Sequence, residues 1–135
     1  MMDVTLPTVT GGFGEAPQLE FPDQGAPRGL HVTVLEEGAG PVVQAGQSIE
    51  VDYHGQLWNG RVFDSSFRRG NPTSFPIGVN MVIKGWDLTL VGKNVGSRLL
   101  ISVPPEKGYG AKGNPRAGIR GTDTLVFVVD IRAIV

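Results

Sequence analysis

The amino-acid sequence predicts an α+β fold, an antiparallel, twisted sheet of about five or six strands curled around one short helix. Several runs alternate apolar and polar residues, such as Ile49-Glu-Val-Asp-Tyr53, and Gly and Asn turns such as Asn59-Gly60 separate them. One segment instead carries a helical stripe: Ile83, Trp86 and Leu90 fall at i, i+3 and i+7. No comparable stripe recurs, so the sheet has a single helix to close over.

The elements follow in chain order. Residues 1–27 hold Gly11-Gly12, Gly14, Pro17, Pro22, Gly25 and Pro27, which forbid a helix and interrupt any alternation. This stretch reads as an extended N-terminal extension, with Leu6, Phe13, Leu19 and Phe21 available to dock it. The domain proper is expected at 28–135. Leu30–Leu35 and Ile49–Leu57 alternate as strands, the second placing Ile49, Val51, Tyr53 and Leu57 on one face and Asp52, His54 and Gln56 toward solvent. The helix lies between Gly78 and Gly92 and has room for about two turns, so it needs tertiary packing to form. Its Lys84, Asp87 and Thr89 fall outside the apolar stripe, and Trp86 belongs between helix and sheet. Arg98–Val103 and Thr124–Ile134 complete the strands, the last burying Leu125, Phe127, Val129 and Ile131.

Composition narrows the function classes. A chain of 135 residues suits one domain with a single core, and 40% hydrophobic content argues against disorder despite 20 Gly and 10 Pro. A net charge of −1 supplies no field for steering nucleic acid. The absence of cysteine excludes disulfides and thiolate metal ligands. No run approaches the ~20 apolar residues of a membrane span. Met1–Pro7 lacks the basic and apolar regions of a secretory leader, so the expected location is cytoplasmic.

Several motifs fail on context. Gly108-Tyr-Gly-Ala-Lys-Gly113 matches G-x-G-x-x-G, but Pro104-Pro105 precedes it and Asn114-Pro115 follows. The strand before and helix after that a dinucleotide site requires have no place there, and a flexible loop is expected. His31 and His54 lack ligand spacing, so no metal site is expected. Ser65 and Ser66 have no nucleophile elbow and read as turn residues. Arg61, Arg68, Arg69, Lys84, Lys93 and Arg98 are scattered among acids like a solvated surface.

Asp64 and the aromatics are different. A carboxylate beside Phe63 in an apolar wall needs donors, and Tyr53 and Arg69 are the candidates. Phe63, Phe75, Trp86, Tyr109 and Phe127 each read singly as core. Together they exceed what a small curled sheet buries without a concave side, which suggests an apolar pocket with a polar rim.

The ordered motifs Val51-Asp-Tyr-His-Gly-Gln-Leu57, Gly60-Arg-Val-Phe-Asp-Ser-Ser66, Phe75-Pro-Ile-Gly78, Val82-Ile-Lys-Gly-Trp86, Val95-Gly96, Tyr109-Gly-Ala111 and Thr124-Leu-Val-Phe127 resemble those of the FKBP-type peptidyl-prolyl isomerases, the immunophilins that bind tacrolimus and rapamycin. The resemblance covers roughly residues 28–135. It implies a pocket of Tyr53, Phe63, Asp64, Arg69, Phe75, Val82, Ile83, Trp86, Tyr109, Ile119 and Phe127, with Asp64, Tyr109 and Phe127 in the catalytic roles. Trp86 would be the floor under the proline ring. The Ile83 N–H and the Tyr109 hydroxyl would hold ligand carbonyls. Thr73, Met81 and Asn114 depart from the residues that better-known members often carry, which affects the rim and not the floor.

The implied activity is rotation about Xaa–Pro bonds in peptides and unfolded clients, by a monomer without cofactor or metal. Macrolides of the tacrolimus and rapamycin type are the implied ligands. A non-catalytic proline-peptide-binding or chaperone module is the alternative, and a carbohydrate-binding module a distant third.

Overall fold

The computed structural model describes residues 4–135. Its main body is a six-stranded antiparallel sheet in the order β3–β7–β8–β4–β5, with β6 also paired to β4. The strands are β3 (His31–Glu36), β4 (Ser48–Leu57), β5 (Val62–Ser65), β6 (Thr73–Pro76), β7 (Arg98–Val103) and β8 (Leu125–Ile134). A separate hairpin, β1 (Thr8–Thr10) with β2 (Gln18–Glu20), precedes them. The expected α+β architecture is therefore present, with a second small sheet that the sequence did not announce. No described helix is long and apolar enough to cross a membrane.

Strand β4 organises the molecule. Along one edge it pairs with β8 from Ile49 to Leu57. Along the other its first half takes β6 and its second half takes β5. The chain leaves the sheet between those two partners through the four-residue helix α1 (Ser66–Arg69), which Gly70 ends in the left-handed region at φ 78°. Residues from β4, β5 and β6 therefore converge at one end of the concave face.

Helix α2 (Lys84–Leu90) crosses that face. Gly85 permits the crossing, since a Cβ there would lie 2.8 Å from Val103 Cγ1. Beneath the helix lie Ile49, Val51, Leu99, Ile101, Leu125, Val129 and Ile131, all essentially without exposure. Thr89 is buried rather than turned outward: its hydroxyl donates to the Gly85 carbonyl at 2.6 Å, one turn back.

The convex face is also covered, which corrects the expectation of a solvent side. The hairpin's Leu6, Val9, Leu19 and Phe21, with Trp58, pack on Leu100, Val126 and Val128. Arg98, expected at the surface, has no exposure and is paired with Asp130, equally buried, through Nε at 2.7 Å. The extension completes this pair. Arg98 also donates to the Gly11 and Glu15 carbonyls, while the Gly14 N–H donates to Asp130. Every partner needed to desolvate two charges is thus in place.

Asp52 and His54, expected toward solvent, are also buried, Asp52 for a related reason. Ser66 is the first residue of α1, not an exposed turn. It is fully buried, donates to Asp52 at 2.8 Å and accepts the Tyr53 N–H at 2.8 Å. Asp52 also accepts from Arg132 at 3.2 Å, and His54 pairs with Gln56 at 2.9 Å. Residues 105–117 contain three tight 3-10 turns, Pro105–Lys107, Gly110–Lys112 and Pro115–Ala117, where a flexible loop was expected.

Candidate active site

The concave end opens into a cleft of about 710 Å3 whose base is Trp86. Trp86 sits in the first turn of α2 and is only 6% exposed. Three rings surround it: Tyr53 from β4 edge-on at 5.2 Å, Phe127 from β8 edge-on at 5.2 Å, and Phe75 from β6 tilted at 5.3 Å. Phe63 from β5 meets Phe127 edge-on at 5.6 Å and extends the wall. Edge-to-face contacts of this kind satisfy the ring quadrupoles and fix each ring's orientation.

The polar rim is built around Asp64. The Tyr53 hydroxyl and an Arg69 guanidinium nitrogen both donate to its carboxylate. A second Arg69 nitrogen donates to the Tyr53 oxygen at 3.2 Å, and the guanidinium carbon lies 5.5 Å from the Tyr53 ring centre. Burial pushes the Tyr53 phenol above its ordinary pKa, and the hydrogen bond to Asp64 pushes it further. The hydroxyl therefore stays protonated and remains a donor throughout the neutral range. Arg69 and Asp64 are both substantially exposed, so their pairing orients the acid more than it stabilises the fold.

The segment before α2, from Asn80 to Ile83, also lines the cleft. Asp87 holds it, accepting the Gly78 N–H at 2.6 Å and the Asn80 N–H at 3.0 Å. Asn80 takes the left-handed conformation, φ 62°, and Met81 projects outward with 67% exposure. Ile83 precedes the first helical residue, and its carbonyl accepts from Trp86 and Asp87. Its N–H has no protein acceptor among the described residues, as expected of a helix start. Tyr109 stands across the opening, 41% exposed, just beyond the first 3-10 turn.

Nine of the expected site residues line one cleft: Tyr53, Phe63, Asp64, Phe75, Val82, Ile83, Trp86, Tyr109 and Phe127. Arg69 lies outside the lining and reaches it through Asp64. Ile119 is buried in the core cluster and does not line the cleft. Asn80 and Glu106, which the sequence reading does not name, line it too, as do Lys84, read as solvated surface, Gly108, read as loop, and Thr73 and Met81, read as rim departures. Lys84 and Asn80 flank the Trp-bearing stripe, so neighbourhood to the helix start was the available signal. Glu106 carried none. Among the described residues no group of three or more His, Asp or Glu side chains is placed to hold a metal ion.

Comparison with known proteins places this geometry in a family. The model for FKBP-type peptidyl-prolyl cis-trans isomerase matches residues 40–132. An FK506-binding protein of Streptomyces anulatus is 39% identical over 121 residues, covering 89% of this chain and 98% of that one. FK506-binding protein 1 of Dictyostelium discoideum is 41% identical over 105 residues, covering 76% and 95%. The crystal structure of AtFKBP13 superposes with a TM-score of 0.73 at 36% identity, covering 81% of this chain and 95% of that one. With an aromatic cleft on a curled antiparallel sheet, and with sequence agreement along most of its length, this chain belongs to the FKBP-type peptidyl-prolyl cis-trans isomerases.

Proposed function

We propose that the cleft catalyses rotation of Xaa–Pro bonds by desolvation, with Trp86 under the proline ring and Tyr53, Phe63 and Phe127 as walls. The supporting observation is the enclosure of Trp86 by three rings at 5.2 to 5.3 Å at the base of an open cleft. Amide resonance makes the planar Xaa–Pro bond more dipolar than the twisted one, and the barrier is ~18–20 kcal/mol. An apolar enclosure withdraws water from the planar form and so favours the twisted geometry.

The polar groups act at the edges. The Ile83 N–H and the Tyr109 hydroxyl are the proposed donors to substrate carbonyls. Asp64, held by Tyr53 and Arg69, places a fixed negative charge at the rim where the rotating carbonyl carbon carries its partial positive charge. Phe63 and Phe75 favour an apolar residue before proline. Tacrolimus-type and rapamycin-type macrolides are proposed to compete for the same cleft, with Thr73, Met81 and Asn114 altering rim contacts. Unfolded, proline-containing chains are the proposed clients. Action as a monomer is part of the same proposal.

A coupled isomerisation assay on Xaa–Pro tetrapeptides tests this reading. Acceleration at micromolar protein, inhibited by tacrolimus, is the expected result. Peptide binding with the uncatalysed rate would leave a binding module in place of an enzyme.

A further inference from the structure

No described residue of the N-terminal extension lines the cleft, and the family match begins only at residue 40. The extension nevertheless grips the strand pair that carries Phe63 and Asp64. Trp58 sits at the turn between β4 and β5, where Gly60 N–H donates to the Leu57 carbonyl and Leu57 N–H to the Arg61 carbonyl. Its ring meets Phe21 edge-on at 5.2 Å, and its Nε1–H donates to the Gln24 carbonyl at 3.1 Å. Its backbone N–H donates to the Thr124 carbonyl at 2.9 Å, just before β8 begins.

Strand β5 needs such support. It is four residues long, pairs only with β4, and its ladder shifts register between Gly55 and Gln56. A short edge strand with so few cross-strand bonds opens easily by itself. Its backbone sets where the wall residue Phe63 and the rim residue Asp64 start from, while Phe127 packs on the first and Tyr53 and Arg69 bond the second. From the other side, Arg61 donates to the Ala117 carbonyl of the third 3-10 turn. The tip of the hairpin is therefore anchored at three points, the extension, the residue before β8 and the third 3-10 turn, and only the first lies in the extension.

We propose that Trp58 is a positioning residue, and that Phe21 and Gln24 act through it to hold β5, and hence Phe63 and Asp64, at the substrate cleft. The catalytic part of this inference rests on the isomerase reading above. The extension is then part of the active-site scaffold, although none of its described residues lines the cleft.

The test compares Trp58→Ala and Phe21→Ala with Val9→Ala in the full chain. Val9 also packs the extension onto the sheet but does not lie at the hairpin tip. Each protein is assayed well below its melting temperature, for Xaa–Pro turnover and for hydrogen exchange of the β5 amides. Trp58→Ala and Phe21→Ala are expected to speed β5 exchange and to lower kcat/KM about fivefold, chiefly through KM. Val9→Ala is expected to lower the melting temperature while leaving both readouts within about twofold of the parent. Unchanged β5 exchange or unchanged kcat/KM in the first two variants overturns the proposal, as does a Val9→Ala protein that reproduces their losses. A parent without turnover would instead sink the isomerase reading. In that case β5 exchange and tacrolimus affinity, compared across the same three variants, would still decide the role of Trp58.

Discussion

Gly55 and Phe63 approach so closely that a Cβ on Gly55 would lie 2.7 Å from Phe63 Cζ and 3.0 Å from Phe127 Cε1. The ladders explain the crowding: Gly55 is opposite Phe127 on one side, and on the other the register shift between Gly55 and Gln56 leaves Phe63 without a partner beside it. Two aromatic walls lean over a single backbone position, and only hydrogen fits beneath them.

Gly55→Ala should therefore tilt both walls into the cleft. Overpacking of this kind costs ~1–3 kcal/mol, and the same displacement should lower kcat/KM about tenfold while the protein stays folded. Turnover measured beside circular dichroism checks it. A folded variant with parental turnover would show that the walls have slack.

Arg98 and Asp130 present a different vulnerability, because the pair is buried with every partner satisfied. Arg98→Met should leave the Asp130 carboxylate buried beside a single N–H donor and free the Gly11 and Glu15 carbonyls. The expected loss is ~3–5 kcal/mol in urea denaturation, and Asp130→Leu added to it should recover a large part. A cost below ~1 kcal/mol for the single variant would mean that water reaches the site.

These two sites also mark what was legible in the sequence. Alternation in Ile49–Leu57 and Leu125–Ile131, with the Ile83–Trp86–Leu90 stripe, specified the concave face, and nine cleft residues lie where the motifs implied. Period two says which residues share a face. It does not say what covers the opposite one. Arg98 and Asp52 looked solvent-facing because the segments that bond them, the hairpin at residues 8–20 and Ser66 of α1, lie far away in sequence or read as loop. Ile119 was expected in the cleft and is instead core. Strands β5 and β6 are four residues each, too short for alternation to register.

His54 gives that covered face a pH dependence. Burial lowers its pKa from the ordinary 6.5, opposed by the bond to Gln56 and assisted by the charge of Arg68. Between the two values the unfolded chain binds more protons than the folded one, so stability rises with pH there. This contribution is complete above pH 6.5 and is lost as pH falls through the lower folded value. The parent should lose more stability between pH 7.5 and pH 5 than His54→Gln, with His31 common to both. Equal slopes in denaturant titrations would remove His54 from the account.

The floor and the rim are separated by three substitutions. Phe127→Ala removes a wall shared by Trp86 and Phe63, and opening a buried aromatic site costs ~3–5 kcal/mol of stability as well. Tyr109→Phe keeps the ring and removes one exposed hydroxyl, worth ~0.5–1.5 kcal/mol, so the rate should fall by tenfold at most. Asp64→Leu takes the acceptor from both Tyr53 and Arg69 but opens no cavity, so its effect should lie between. With folded fraction corrected, turnover should fall least in Tyr109→Phe, further in Asp64→Leu and most in Phe127→Ala. That order follows if the apolar enclosure lowers the barrier most and the polar rim adds a smaller electrostatic and orienting contribution. The reverse order, with Tyr109→Phe inactive and Phe127→Ala near parental, would transfer the main catalytic contribution to proton donation at the rim.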